Sequence, residues 1–265
     1  MESFRTQEKY GVKYKITFIG SGNIATNLAH AFDKAGHTIH QVISKHESHA
    51  KELASKFGAY YGDTSSELYK DADFIILAVS DEAYPQALTL VNAKCRAIIC
   101  HTSGSVSMNV LSSYPGDFGV IYPLQSLRKE EVKNVMQVPF FIEGNNANTL
   151  NNIKELADSI SNKVSEVTSE QREKYHLAAV FANNFTNLMY SIAAEYLEKE
   201  GLSFDNLLPI ITETASRLKE GKPKAWQTGP AKRGDKAVID KHISMLDDPS
   251  LKIIYKQLSE YISST

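Results

Sequence analysis

With two cysteines in 265 residues the chain has no disulfide framework, and none of its apolar runs is long enough to cross a bilayer. Cys95 and Cys100 form no Cys-x-x-Cys pair and no zinc-ligand spacing, so no metal role is expected of them. A net charge of −2 gives no general pull toward nucleic acid or an anionic membrane surface. The first ten residues lack the apolar stretch of a signal peptide. These absences lead us to expect a cytoplasmic protein with a small-molecule substrate, no nucleic-acid partner, no membrane partner and no metal. The apolar content of 42% and charged content of 23% are those of an ordinary globular protein.

What is present begins with one stretch. A β-branched apolar run, 16–19, meets Gly20-Ser21-Gly22 and then a helix-forming segment from Asn23 to about Ala35. This order of strand, glycine turn and helix is that of a dinucleotide-binding βαβ unit. Gly20 serves the tight turn, Gly22 leaves room for a pyrophosphate, and Ala25 allows helix and strand to pack closely. Asn23 and Ile24 then open a helix whose free N–H groups favour phosphate.

Strand and helix signals alternate from there to about residue 167. Strands are expected at 37–43, 59–61, 74–79, 97–100, 120–122, 139–142 and 164–167. Helices are expected at 48–57, 67–70, 82–91 and 148–161, with Asp81 as a cap for the third. After Thr168 the pattern is helical only: one long helix over 169–199, another over 207–219, a glycine- and proline-rich loop over 221–234, a helix capped by Asp235, and a last one from Pro249. The fold class is therefore α/β, a doubly wound, mostly parallel Rossmann-like sheet followed by an all-α C-terminal domain. The domains are expected at 1–168, including an N-terminal arm over 1–13, and at 169–265.

A NAD-binding unit usually carries an acid at the end of its second strand to hold the ribose 2′-hydroxyl. Here the window reads Ile43-Ser44-Lys45-His46, with Glu47 arriving late. Ser44 and Lys45 suit a 2′-phosphate, which favours NADP over NAD, although a lysine at a strand end also suits plain solvation. Ala78, Val79 and Ser80 end the fourth strand at the ligand edge, where small residues let a cofactor ride over backbone.

Chemistry has three candidate locations. His101 and Ser103 follow the fifth strand, and Gln125 follows the sixth. His101 reads equally as an acid/base or as a histidine held by its loop; Ser103 reads as a hydrogen-bonding group for substrate or nicotinamide. On the long helix, His176, Asn183 and Asn187 share one stripe at α-helical spacing on an otherwise apolar segment. His176 there suits proton transfer to a substrate receiving hydride, with Asn183 orienting it; bridging of neighbouring helices is the alternative. Arg233 and Asp235 belong to the third location, a loop in which Arg233 suits a substrate carboxylate and Asp235 is at least a helix cap.

Taken together, Gly20-Ser21-Gly22, Ala78-Val79-Ser80, His101-Thr102-Ser103-Gly104, Tyr122-Pro123-Leu124-Gln125, Phe141-Ile142-Glu143-Gly144, Tyr175-His176 with Asn183-Asn184, and Thr228-Gly229-Pro230 with Arg233-Gly234-Asp235 resemble a family of Rossmann-like NADP oxidoreductases. That family has a C-terminal domain of unknown function and falls in the pyrroline-5-carboxylate reductase and 3-hydroxyacid dehydrogenase-like superfamily. The resemblance implies NADP in the N-terminal domain, a substrate pocket between domains, and a homodimer through the helical domain. The lysine-and-asparagine pair of the 3-hydroxyacid dehydrogenases and the substrate loop of the pyrroline-5-carboxylate reductases are missing. The expectation is therefore an NADP-dependent oxidoreductase moving hydride between nicotinamide and a small C=O or C=N substrate. A non-catalytic NADP-binding sensor or partner-binding protein is the alternative.

Overall fold

The structure is a computed structural model that describes residues 11–91 and 95–265. Of the arm expected over 1–13, residues 1–10 lie outside the described residues. The described residues form two compact units, 11–188 and 189–265. The change from alternating to purely helical structure falls at Thr168, twenty residues before that division. The division falls later because the first helix after Thr168 is tied by side chains to the first unit.

The first unit is built on one eight-stranded sheet in the order β3-β2-β1-β4-β5-β6-β7-β8. Its strands are β1 (Lys15–Ile19), β2 (Thr38–Ile43), β3 (Tyr60–Gly62), β4 (Phe74–Leu77), β5 (Ile98–His101), β6 (Phe118–Pro123), β7 (Phe140–Gly144) and β8 (Val164–Glu166). Every pairing is parallel except β6 with β7. The central strands are covered on both faces: β4 and β5 are buried along their whole length. That is why they read as unbroken apolar runs. Helices α1 (Asn23–Lys34), α2 (Glu47–Ala54), α3 (Tyr84–Thr89) and α4 (Ala147–Asp158) connect them. Leu28, Ala29 and Phe32 of α1 and Ile153, Leu156 and Ala157 of α4 share a core with Ile16, Phe18 and Ile76. A second core, around Ile75, Leu77, Ile99 and Tyr84, is closed by Leu111 and Tyr114. The strand order turns back between β1 and β4, which is where open α/β sheets place ligands.

Beyond β8, Thr168 closes a capping box with Gln171 and starts α5 (Ser169–Ala179). The single helix expected over 169–199 is interrupted. Val180–Phe185 is π-helical, and α6 (Thr186–Lys199) follows. The wider i→i+5 turn advances the phase, so His176, Asn183 and Asn187 do not keep the shared stripe that uniform α-helical spacing implies.

The second unit contains the rest of α6, then α7 (Leu208–Ser216), α8 (Pro230–Arg233), α9 (Lys236–Met245) and α10 (Pro249–Ser264). The stretch 221–234, read as loop, holds a 3₁₀ turn at Pro223–Trp226 and the single-turn α8. Both begin at proline, which fits the first helical turn because its missing N–H has no partner to make there. Residues 67–70, read as helix, are irregular. The Gln41 side chain holds their backbone instead, donating to Glu67 O at 3.0 Å and accepting from Tyr69 N at 3.0 Å. Asp81 is not a cap: Ser80 precedes the 3₁₀ turn Asp81–Ala83, and α3 follows. No helix of the described residues is long and apolar enough to cross a membrane.

Candidate functional site

A cavity of about 840 Å³ opens at the β1/β4 switch point. Gly20, Ser21, Gly22, Asn23, Ser44, Lys45, Ala78, Val79 and Ser80, drawn from separate strand ends, all line it. Gly20 has φ +110°, and a Cβ there would lie 2.1 Å from the carbonyl oxygen of Ala78. Only glycine lets the turn cross the end of β4 this closely. Gly20 N also donates to Ile43 O at 2.7 Å, pinning the turn to β2. Gly22 is the opposite case, since nothing lies within 4 Å of a Cβ built on it. Open space therefore faces the N-terminus of α1, whose capping position makes no side-chain bond. Its free N–H groups and partial positive charge suit an anion.

Two expected members of this site behave differently. Ile24 packs against the core and does not line the cavity, because its side chain falls on the buried stripe of α1. Asn23 lines the cavity, but its Oδ1 accepts from Lys129 N at 3.0 Å. Asn27, one turn on, holds the same segment: Oδ1 accepts from Lys133 N at 2.9 Å, and Nδ2 donates to Arg128 O at 3.0 Å. These bonds bring Lys129 and Glu130 to the cavity wall. At the β2 end, Ser21 Oγ donates to Ser44 Oγ at 2.9 Å, and Lys45, His46, His49 and Lys56 surround the space beyond. A glycine crossing, an open helix N-terminus and a cationic, acid-free strand end fit a dinucleotide with a phosphorylated ribose.

The loop after β5 is a different construction. His101 is fully buried against Tyr84, ring centroids 5.2 Å apart. Its Nδ1 accepts from Ser103 N at 3.2 Å, so the ring proton sits on Nε2. Nε2 has no partner among the described residues. Burial first, and the Arg172 charge second, push this imidazole down to about 3. His101 is thus neutral near pH 7 and is held to its loop through Nδ1. Ser103 is also buried, and its hydroxyl accepts from Ser105 N at 3.1 Å and Val106 N at 3.2 Å. It shapes the turn from inside, which leaves it little capacity for an outside ligand. Ser105 Oγ donates to Asp81 Oδ2 at 2.6 Å, linking the loop to the end of β4.

Sequence reasoning missed the residue that holds this loop. Arg172 on α5 is fully buried. Nη1 donates to Glu143 Oε2 at 2.7 Å, Nε to Ser103 O at 3.1 Å, and Nη2 to Val106 O at 2.6 Å. Glu143 in turn accepts from Ser169 N and Oγ. The available signal was Glu143 itself, an acid inside an otherwise apolar strand, which needs a cation.

Arg172 sets α5 so that His176, one turn later, lies over Gly104. His176 Nδ1 is 3.2 Å from the Tyr122 hydroxyl, and a Cβ on Gly104 would lie 2.6 Å from that nitrogen. Tyr122 is nearly buried, and burial raises its phenol above the usual range. Gln125 is exposed beyond β6 and accepts from Ser126 N. Asn183 is exposed on the π-helical turn. Arg233 and Asp235 belong to the second unit. Arg233 ends α8, and Asp235 Oδ1 accepts from Val238 N at 3.2 Å, capping α9. His242, seven residues on, binds Tyr255 of α10 through Nδ1 at 2.7 Å. Among the described residues no three or more metal-ligating side chains cluster.

Residues 15–103 match the family described as NADP oxidoreductase, coenzyme F420-dependent, and residues 138–262 match a domain of unknown function, DUF2520. No curated protein matches the chain. Among solved structures, a Bacteroides fragilis protein provisionally named an NADP oxidoreductase is 40% identical over 96% of this chain and 99% of its own, with a TM-score of 0.88. A pyrroline-5-carboxylate reductase from Streptococcus pyogenes is 17% identical over 96% of this chain and 99% of its own, TM-score 0.62. A reductive aminase from Aspergillus terreus, solved with NADPH and ethyl-5-oxohexanoate, is 14% identical over 94% and 93%, TM-score 0.69. The last two share the fold. The first carries more, and the chain belongs to this family of NADP oxidoreductases, with a Rossmann-like N-terminal part, a DUF2520 C-terminal part, and NADP as the family's cofactor.

Proposed function

We propose that this NADP-dependent reductase acts on a small C=O or C=N substrate and that His176 supplies the proton. The observation that carries this reading is the contact of His176 with Tyr122 above Gly104, at the carboxyl edge of the sheet. Bound NADPH would supply hydride to the substrate carbon. The chain's part is the proton that must reach the oxygen or nitrogen at the same time. In the doubly protonated ring, Nδ1–H donates to the Tyr122 oxygen and Nε2–H gives the proton; the neutral ring left behind regains a proton at Nε2 from solvent. Burial raises the Tyr122 phenol, which makes it a weaker acid and leaves it as the group that orients the ring.

Ser44 and Lys45 are the proposed contacts of the 2′-phosphate, and Gly20, Ser21, Gly22 and Asn23 those of the pyrophosphate. Arg233 is the proposed partner of a substrate carboxylate, and the proposed assembly is a homodimer through the helical part. Exposed Ile253, Leu258 and Tyr261 on α10 support the last point.

The test is NADPH oxidation across a panel of small keto acids, neutral ketones and cyclic imines. Turnover that falls at least a hundredfold in His176→Gln, about the contribution of a general acid, with NADPH binding intact, is the expected result. Tight NADPH binding with no oxidation on any substrate favours the sensor reading instead. Activity that survives His176→Gln removes the assignment of the proton donor.

A further inference from the structure

The end of β2 carries two histidines that the reading above does not use. His46 occupies the N-cap of α2, yet its side chain makes no capping bond, and His49 sits one turn on. The rings lie edge to face, with centroids 5.4 Å apart, and both line the nucleotide cavity beside Ser44 and Lys45. We infer that His46 and His49 form a proton-gated clamp for the 2′-phosphate, so that the preference for NADP over NAD rises as pH falls. This rests on the proposed placement of the 2′-phosphate at Ser44 and Lys45.

The argument is one of charge and spacing. Histidine is the side chain whose charge changes between about pH 5 and 8. Two imidazolium rings this close repel each other, and a dianionic phosphate lying beside both offsets the repulsion and adds charge-assisted hydrogen bonds. Phosphate binding is therefore coupled to proton uptake by the pair. A phosphate monoester keeps its second charge down to about pH 6, so its own titration opposes the effect only at the acid end. NAD, with a hydroxyl at that position, draws no proton.

The neighbouring charges divide between the signs. Lys45 and Lys56 add a constant positive field, while Glu47 and Glu52 on α2 oppose it. Across the cavity Lys129 and Glu130 offset one another, and Thr64 from the segment after β3 is uncharged. Among these side chains only histidine is of a type whose charge ordinarily changes near neutrality.

The experiment measures dissociation constants of NADPH and NADH by titration of the full chain at several values between about pH 6 and 8.5. Calorimetry in two buffers of different ionisation enthalpy counts the protons taken up. The NADPH-over-NADH ratio should fall by about tenfold across that range. NADPH should take up more protons than NADH. In the His46→Gln/His49→Gln variant the ratio should no longer fall as pH rises and the extra uptake should be gone, with NADH affinity unchanged. Both positions are exposed, so the fold tolerates the change. If NADPH binds better than NADH at every pH with a constant ratio, the clamp is overturned while the 2′-phosphate placement stands. A ratio that still falls with rising pH in the double variant likewise overturns it. If NADPH is never preferred, both fall together.

Discussion

The nucleotide turn and the loop after β5 stand at the same edge of one sheet and are built by opposite means. The turn is backbone and space: a glycine crosses β4 where no side chain fits, and a second faces an opening. The loop is side chains: Arg172, Glu143, Ser103, Ser105, Asp81 and His101 spend their polar atoms largely on one another and on loop carbonyls. One region is open because little occupies it. The other positions His176 because nearly everything in it is already engaged.

The most damaging change should be to the loop. Arg172→Met leaves the Glu143 carboxylate without its cation and two carbonyls without a donor. Breaking a buried pair of this kind costs about 3–5 kcal/mol, read as a lowered urea midpoint and Tm. A smaller loss would mean that Glu143 escapes to solvent.

Next comes Gly20→Ala. The positive φ alone costs about 1–3 kcal/mol, and the Ala78 carbonyl has nowhere to go. NADPH binding should be lost, with stability falling less than in Arg172→Met. An alanine variant that binds normally would show that the turn is not the phosphate site.

Acid should then unfold the protein through its buried histidines. Burial lowers His37 and takes His101 to about 3. Both are neutral in the fold and gain a proton near pH 6.5 when unfolded. Their contribution is complete above about pH 6.5 and is lost on acidification, by about 1.4 kcal/mol per pH unit for each histidine, down to its folded value. Urea melts between pH 7 and 4.5 should show the slope, and His101→Asn should reduce it.

Gly104→Ala should leave NADPH affinity unchanged while lowering kcat. The added methyl displaces His176 and Tyr122 together, and misplacement by about 1 Å can cost up to a hundredfold. The smallest effect belongs to Lys45→Ala. NADPH affinity should fall by roughly tenfold or less, as for one exposed charge-assisted contact, and NADH affinity should not move.

The contrast between the regions also explains what the sequence could reveal. A turn made of backbone leaves its requirement in the letters: Gly20 and Gly22 at fixed spacing, after an apolar run. The buried strands are equally plain, because burial on two faces removes polar residues altogether. The missing acid after Ile43 pointed to a phosphorylated nucleotide for the same reason, a local requirement with a local signature. The loop's requirement is distant. Arg172 stands among Glu170, Glu173 and Lys174, and nothing nearby says that it alone is buried. Only Glu143, twenty-nine residues earlier, records the need. His101 was read both ways because a strand end does not say which way its last side chain faces. Helix 67–70 failed since so short a segment cannot offset its own nucleation. The π-helical turn has no letter of its own, and it shifts where Asn183 and Asn187 stand relative to His176.

Asn27 gives the cleft one more property. It is fully buried, and its amide bonds to Asn23 O, Arg128 O and Lys133 N. The helix whose N-terminus opens on the cavity therefore also carries the strip bearing Lys129 and Glu130. Floor and side wall are a single bracket, held by the amides of Asn23 and Asn27, and the second of these never faces the opening.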